Sequence, residues 1–250
     1  MYDDDYMGPD KQYNDVQDVK VLSAFYHYSE PFSAECRAFG RLQEAGHEDL
    51  AVRCFGYILL DEQHERAMRD QYSDIRLEFD GNGDAPGYEE VRSVFPGKDG
   101  RPPPLQGILK AFGKTDEQLG TKDTRRLLGD VIGLQQLGII SIDVGHRQLV
   151  GGKFADFSQA ITFPHFMTNP ELNPFIEPEW ISAMGFETFQ FCADDYWTFD
   201  SMVEIWNDEH DDPKDKLSVF AFPRRKGDRI KYDLRPKPSR ERIYSLVDPR

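Results

Sequence analysis

Residues 134–159 read LQQLGIISIDVGHRQLVGGKFADFSQ, and the fold turns on this stretch. It begins as the end of an amphipathic helix, because Leu127, Val131 and Leu134 recur at helical spacing in TKDTRRLLGDVIGLQQLG, and Gly138 is a natural stop. The short apolar segment IISID follows, delivering Asp143 into a loop. RQLV and KFAD are then joined by Gly151-Gly152, two residues able to supply the positive φ values of a two-residue hairpin turn. Such a hairpin places Asp156 at the exit of its second strand.

Moving toward the N-terminus, VKVLSAF (Val19–Phe25) reads as a strand because of its β-branched residues. Ser29 is the expected N-cap of a helix to Ala45, stopped by Gly46, with Phe32, Cys36 and Phe39 on one face. DLAVRCFGYILLD (Asp49–Asp61) reads as one long strand, and LQGILKAF (Leu105–Phe112) as another. Between them, Glu62 to Pro104 turns polar and then rich in glycine and proline, the pattern of an acidic surface insertion. On the C-terminal side, helices are expected at Glu179–Phe186 and Asp195–Asn207. The second carries Phe199, Met202, Val203 and Trp206 on one side, and Trp197, Phe199 and Trp206 read as core or partner-binding anchors, with the core favoured. A late strand, LSVFAFP, and a basic, proline-containing tail complete the chain.

In order, these elements are a strand with Lys20, a helix with Glu35, two strands, a helix, a loop with Asp143 and a hairpin ending in Asp156-Phe157-Ser158. The order resembles that of the protein kinases. Phosphoryl transfer requires placed charge more than covalent chemistry: a lysine on the phosphates, a glutamate holding it, a carboxylate near the acceptor hydroxyl, and metal ligands. ISIDVGHRQ resembles the kinase catalytic loop, with Asp143 at the catalytic aspartate and Gln148, five residues on, at the metal-binding position. ADFS resembles the metal-binding Asp-Phe-Gly element. The resemblance implies catalytic roles for Asp143, Lys20 and Glu35, and a cofactor site of ATP and Mg²⁺ on Lys20, Asp156 and Gln148, with Asp156 and Gln148 on the metal.

More narrowly, PFSAECRAFGRLQEAGHEDLAVRCFGYILLDE and GIISIDVGHRQLVGGKFADFSQAITFPHF resemble a fungal protein-kinase-like family that includes a Sim4-complex kinetochore subunit. That resemblance implies an α+β, two-lobed, kinase-like fold, with a reduced N-lobe sheet and one main helix, then a shortened, mostly helical C-lobe. The expected divisions are an acidic tail at 1–18, the reduced N-lobe at 19–120 with its insertion at 62–104, and the C-lobe at 121–250.

Several positions depart from a working kinase. Ahead of Lys20 there is one glycine, Gly8, where a glycine-rich loop would cover phosphates. Ser141 and Ile142 replace the usual His-Arg pair, Gly145 a phosphate-contacting lysine, Gln148 asparagine, and Ser158 glycine. These losses favour a pseudokinase acting as a protein-interaction scaffold, with or without residual nucleotide binding. The alternative is an active, atypical ATP- and Mg²⁺-dependent phosphotransferase.

The formal net charge of −15 opposes binding to nucleic acid or an anionic membrane and favours a partner with a basic surface. Three cysteines, Cys36, Cys54 and Cys192, are too dispersed for a disulfide framework and point to a reducing, intracellular compartment. The kinetochore resemblance implies the nucleus. HEDL (His47–Leu50) lacks the second histidine of a zinc motif. His146 and Arg147 read as hairpin caps or as phosphate contacts.

Overall fold

The computed structural model describes residues 19–75, 77, 100–101, 103–115, 118–173, 178 and 180–222, with the backbone alone for residues 19–22 and 25. These residues form two compact units: Cys54–Lys110, and the chain before Arg53 joined with that after Ala111.

The first unit opens with helices α1 (Val19–Ser29) and α2 (Pro31–Ala45). The strand expected at Val19–Phe25 is therefore helix. Val21, Ala24 and Tyr28 already stand at helical spacing, and a helix pairs its backbone internally where a strand would need a neighbour. Pro31 starts α2 with its φ pre-set, and the Glu30 carboxylate, not Ser29, caps it by accepting from Ser33 N–H at 2.8 Å. Gly46 ends it in the left-handed conformation, φ 70°, as expected. Ala34, Glu35, Ala38, Phe39 and Leu42 form its buried stripe.

A 3₁₀ turn at Glu48–Leu50 replaces the start of the long strand read at Asp49–Asp61. Helix α4, Thr121–Gln136, matches its expected place, with Leu127, Leu128, Val131 and Leu134 wholly buried. It leads through Gly138, φ 76°, into β3 (Ile139–Ile140). The β4–β5 hairpin (Leu149–Val150 and Lys153–Phe154) turns on Gly151 and Gly152 at φ 58° and 69°, as the sequence demands. Strand β6 (Ile161–Thr162) then pairs antiparallel with β3.

Helix α5 runs unbroken from Ile181 to Glu209. Two helices were expected there. The intervening ETFQFCAD has modest helix propensity, and burial of Thr188, Phe191 and Cys192 carries the helix through. Ile140, Ile161, Phe163, Phe191 and Cys192 form one core cluster between the β3–β6 pair and α5.

Leu217–Phe222 keeps the alternation of the expected strand, with Leu217, Val219 and Ala221 buried, yet it joins no sheet. Side chains of α5 take the strand's place. Asn207 donates to Leu217 C=O at 2.9 Å and accepts from its N–H at 2.7 Å, and Asp200 accepts from Ala221 N–H at 2.6 Å and Phe222 N–H at 3.2 Å.

In the second unit, β1 (Cys54–Leu60) pairs antiparallel with β2 (Leu105–Lys110), Tyr57 opposite Ile108, with the register broken between Cys54 and Gly56, the latter at φ 126°. Between them lies α3 (Glu62–Gln71), whose N-cap Asp61 accepts from Gln63 N–H and His64 N–H at 3.0 and 3.1 Å. The first ten residues of the expected surface insertion are thus helical. Residues 78–99 of the insertion, the 1–18 tail and the basic tail from Pro223 lie outside the described residues.

Candidate functional site

The loop between β3 and β4 carries Asp143, and its shape is set from beneath. Ile142 adopts φ 64°, a left-handed conformation costly for a β-branched residue, on the order of 1–3 kcal/mol. Asp195, from the middle of α5 and fully buried, offsets that cost: its carboxylate accepts from Ile142 N–H at 2.7 Å, Ser141 N–H at 3.1 Å and Gln135 Nε2 at 3.0 Å. Burial pushes the Asp195 carboxyl up to about 6, against the pull of those three donors.

On the loop's outer side, Arg147 donates through Nη2 to both Asp143 oxygens, at 2.7 and 2.6 Å, and Gln148 Nε2 donates to Oδ2 at 2.5 Å. Arg147 therefore serves neither as a hairpin cap nor as a free phosphate contact in this arrangement. The amide orientation of Gln148 follows from charge, since its oxygen would be repelled by the carboxylate. The backbone of Gln148 accepts from Ala155 N–H at 2.9 Å, which places Asp156 one residue beyond this rung. Asp156 Oδ1 accepts from Ser158 N–H at 2.8 Å, closing the turn that leads out of the hairpin.

Helix α2 approaches the same segment. Glu35, 8% exposed, accepts from Phe157 N–H at 3.1 Å, and Phe39 meets the Phe157 ring edge-on at 5.2 Å between centroids. Two residues either side of Phe39, and so about one turn apart, Arg37 donates to the carbonyls of Thr162 (3.2 Å) and Pro164, and Arg41 to those of Leu137 (2.9 Å) and Phe163 (2.7 Å). The Arg37 guanidinium also lies 4.4 Å from the centre of the Tyr28 ring. His165 sits at the end of this clamp, accepting at Nδ1 from Met167 N–H (3.1 Å) and donating at Nε2 to Tyr28 C=O (3.0 Å). Burial lowers its pKa to about 4, with Arg37 acting in the same direction and the Tyr28 bond against it.

Of the residues the sequence singles out, Asp143 and Gln148 are in contact, Asp156 follows on the same hairpin, and Glu35 joins them through Phe157. Lys20 lies on α1 instead of a strand, and its side chain is outside the described residues, as is any pairing with Glu35. Asp195, Arg37, Arg41 and His165 were not anticipated. A signal for Asp195 did exist: an aspartate within the helical apolar stripe Phe191, Cys192, Tyr196, Phe199 can only be buried with donors around it.

The kinase resemblance would place Mg²⁺ on Asp156 and Gln148; here the Gln148 amide nitrogen is engaged with Asp143, and the Asp156 carboxylate accepts from Ser158 N–H. Among the described residues, no group of three or more His, Cys, Asp or Glu side chains gathers as a metal site. Nor is any described helix long and apolar enough to cross a membrane.

A family model described as the kinetochore Sim4 complex subunit FTA2 matches residues 1–161. The chain belongs to this family. The matched span ends at the first residue of β6, so it takes in Lys20, Glu35, Asp143, Gln148 and Asp156 and leaves α5, with Asp195, beyond it. No curated protein matches the chain, and no solved structure does.

Proposed function

We propose that the chain is a non-catalytic scaffold subunit of a Sim4-type kinetochore complex, nuclear and chromosome-associated, built on a reduced kinase-like plan. Its partners are proteins, met in part through acidic surface that suits a basic counterpart. Membership of the FTA2 family supports the kinetochore assignment. The kinase-like plan is supported by the element order from α2 onward, with Lys20 on a helix where that plan has a strand, by the β3–β6 pair flanking the Asp143 loop, and by Glu35 reaching the ADFS segment from α2.

One observation carries the non-catalytic reading. Both oxygens of Asp143 accept from neighbouring side chains, Arg147 and Gln148, so the carboxylate that would receive an acceptor hydroxyl's proton is already engaged. The alternative, an ATP- and Mg²⁺-dependent phosphotransferase, needs both side chains to turn away first.

Titration of the full chain with ATP and Mg²⁺ by calorimetry, beside Asp156→Asn, separates the two. The scaffold reading predicts no Mg²⁺-dependent binding that Asp156→Asn abolishes. Saturable, Mg²⁺-dependent binding lost in that variant would restore the enzyme. Immunoprecipitation of the tagged chain from its own cells should recover other subunits of the complex, and recovery of the chain alone would remove the kinetochore assignment.

A further inference from the structure

We infer that one face of α5, formed by Phe186, Phe189 and Trp197, docks a basic, amphipathic helix of a partner protein. The inference rests on the scaffold reading and names the surface such a scaffold would use.

The face stands opposite the stripe that α5 buries. Phe186 and Trp197 are 64% and 66% exposed and Phe189 46%, whereas Phe191, Tyr196 and Phe199 on the other side are buried. With Ala193 the face runs at spacings of three, four and four residues, the seam a second helix would follow, over about 16 Å at the α-helical rise. Single exposed apolar residues are ordinary, but large aromatics aligned over three turns are the side chains that anchor interfaces.

Charge selects the partner. Helix α5 has seven acidic residues and no Lys, Arg or His. Asp195 and Asp200 are buried and hold backbone N–H groups, Glu187 and Asp194 are half-buried, and Glu204, Asp208 and Glu209 are exposed. By helical geometry Asp194 flanks the aromatic face, and Glu204 and Asp208 lie beyond its C-terminal end. A second copy of this chain would set acid against acid, and an anionic membrane or nucleic acid would be repelled. A helix with two or three apolar anchors and flanking Lys or Arg satisfies both the seam and its rim. The chain's own basic stretch after Phe222, whose ring lies 6.2 Å from that of Trp197, is the competing occupant.

The test titrates the full chain with an 18-residue amphipathic helix of lysine and leucine, and with its glutamate and leucine counterpart. The expected result is binding of the first alone, weakened at least tenfold in the double variant Phe186→Ser, Trp197→Ser, which leaves charge unchanged; an unshifted thermal midpoint establishes that the variant is folded. Equal binding by the variant would overturn the inference, because charge alone would then suffice. So would binding that appears only once Arg224→Glu, Arg225→Glu and Lys226→Glu are introduced, since the chain's own stretch would be the occupant. Immunoprecipitation in parallel keeps the two readings apart. Complex recovered by both wild type and double variant removes the surface and keeps the scaffold; complex recovered by neither removes the scaffold and leaves the peptide titration to decide the surface.

Discussion

Asp143 and Asp195 stand on opposite sides of one loop and teach different things. Asp143 is held by side chains from its own loop: Arg147 is 74% exposed, so its share of the hold competes with water, while Gln148 is buried. Asp195 is fully buried and receives two backbone N–H groups and a glutamine amide, with Ser141 and Gln135 themselves buried and Ile142 half-buried. The loop's frame is thus built into the core, while the group that would do chemistry is closed by contacts at the surface. A scaffold needs the first and has no use for an open second.

The contrast breaks most readily at Asp195. Asp195→Ala leaves the Ser141 and Ile142 N–H groups without an acceptor, while Gln135 keeps its bond to Cys192 C=O, and should cost about 3 kcal/mol in urea unfolding. Asp195→Asn, which offers one oxygen and turns an N–H₂ toward a donor, should cost about 2 kcal/mol. A loss under about 0.5 kcal/mol for either would mean that the loop does not depend on α5. Next comes the α2 clamp: Arg41→Ala should cost about 2 kcal/mol, as the carbonyls of Leu137 and Phe163 lose a charged donor. Least affected is the outer side, where Asp143→Asn should change stability by under about 1 kcal/mol.

Acid sharpens the same comparison. His165 is held neutral, with its pKa lowered from 6.5 to about 4, so the unfolded chain binds more protons between those values and His165 makes stability rise with pH across that window. Asp195, raised from 3.8 to about 6, binds more protons in the folded chain and makes stability fall with pH between 3.8 and 6. The two oppose each other over most of the range. Unfolding free energy measured from pH 4 to 6.5 should therefore rise more steeply in Asp195→Asn than in wild type and less steeply in His165→Gln. Parallel profiles would contradict both assignments.

Much of the loop was legible in the sequence because it is encoded locally. Gly138, the Gly151-Gly152 pair and the helical spacing of Leu127, Val131 and Leu134 each dictate backbone within a few residues, and the structure has those elements where the spacing put them. What the sequence concealed was tertiary. Val19–Phe25 looks like a strand by residue type, yet it continues the helical spacing that ends at Tyr28, and no neighbouring strand is there to pair with it among the described residues. Leu217–Phe222 alternates as a strand should, yet Asp200 and Asn207 take its hydrogen bonds. Trp197 reads alongside the buried Phe199 and Trp206, yet a step of two residues from Phe199 puts it on the opposite side of the helix, and it faces outward. The partners of Asp195 lie more than fifty residues away, beyond the reach of any motif.

The most direct test of the account compares Asp143→Asn with Asp195→Asn for recovery of complex subunits by immunoprecipitation of the full chain. The account predicts wild-type recovery with Asp143→Asn and clear loss with Asp195→Asn, because the frame matters and the closed carboxylate does not. Loss of recovery by a fully folded Asp143→Asn protein would contradict it and return Asp143 to an active role.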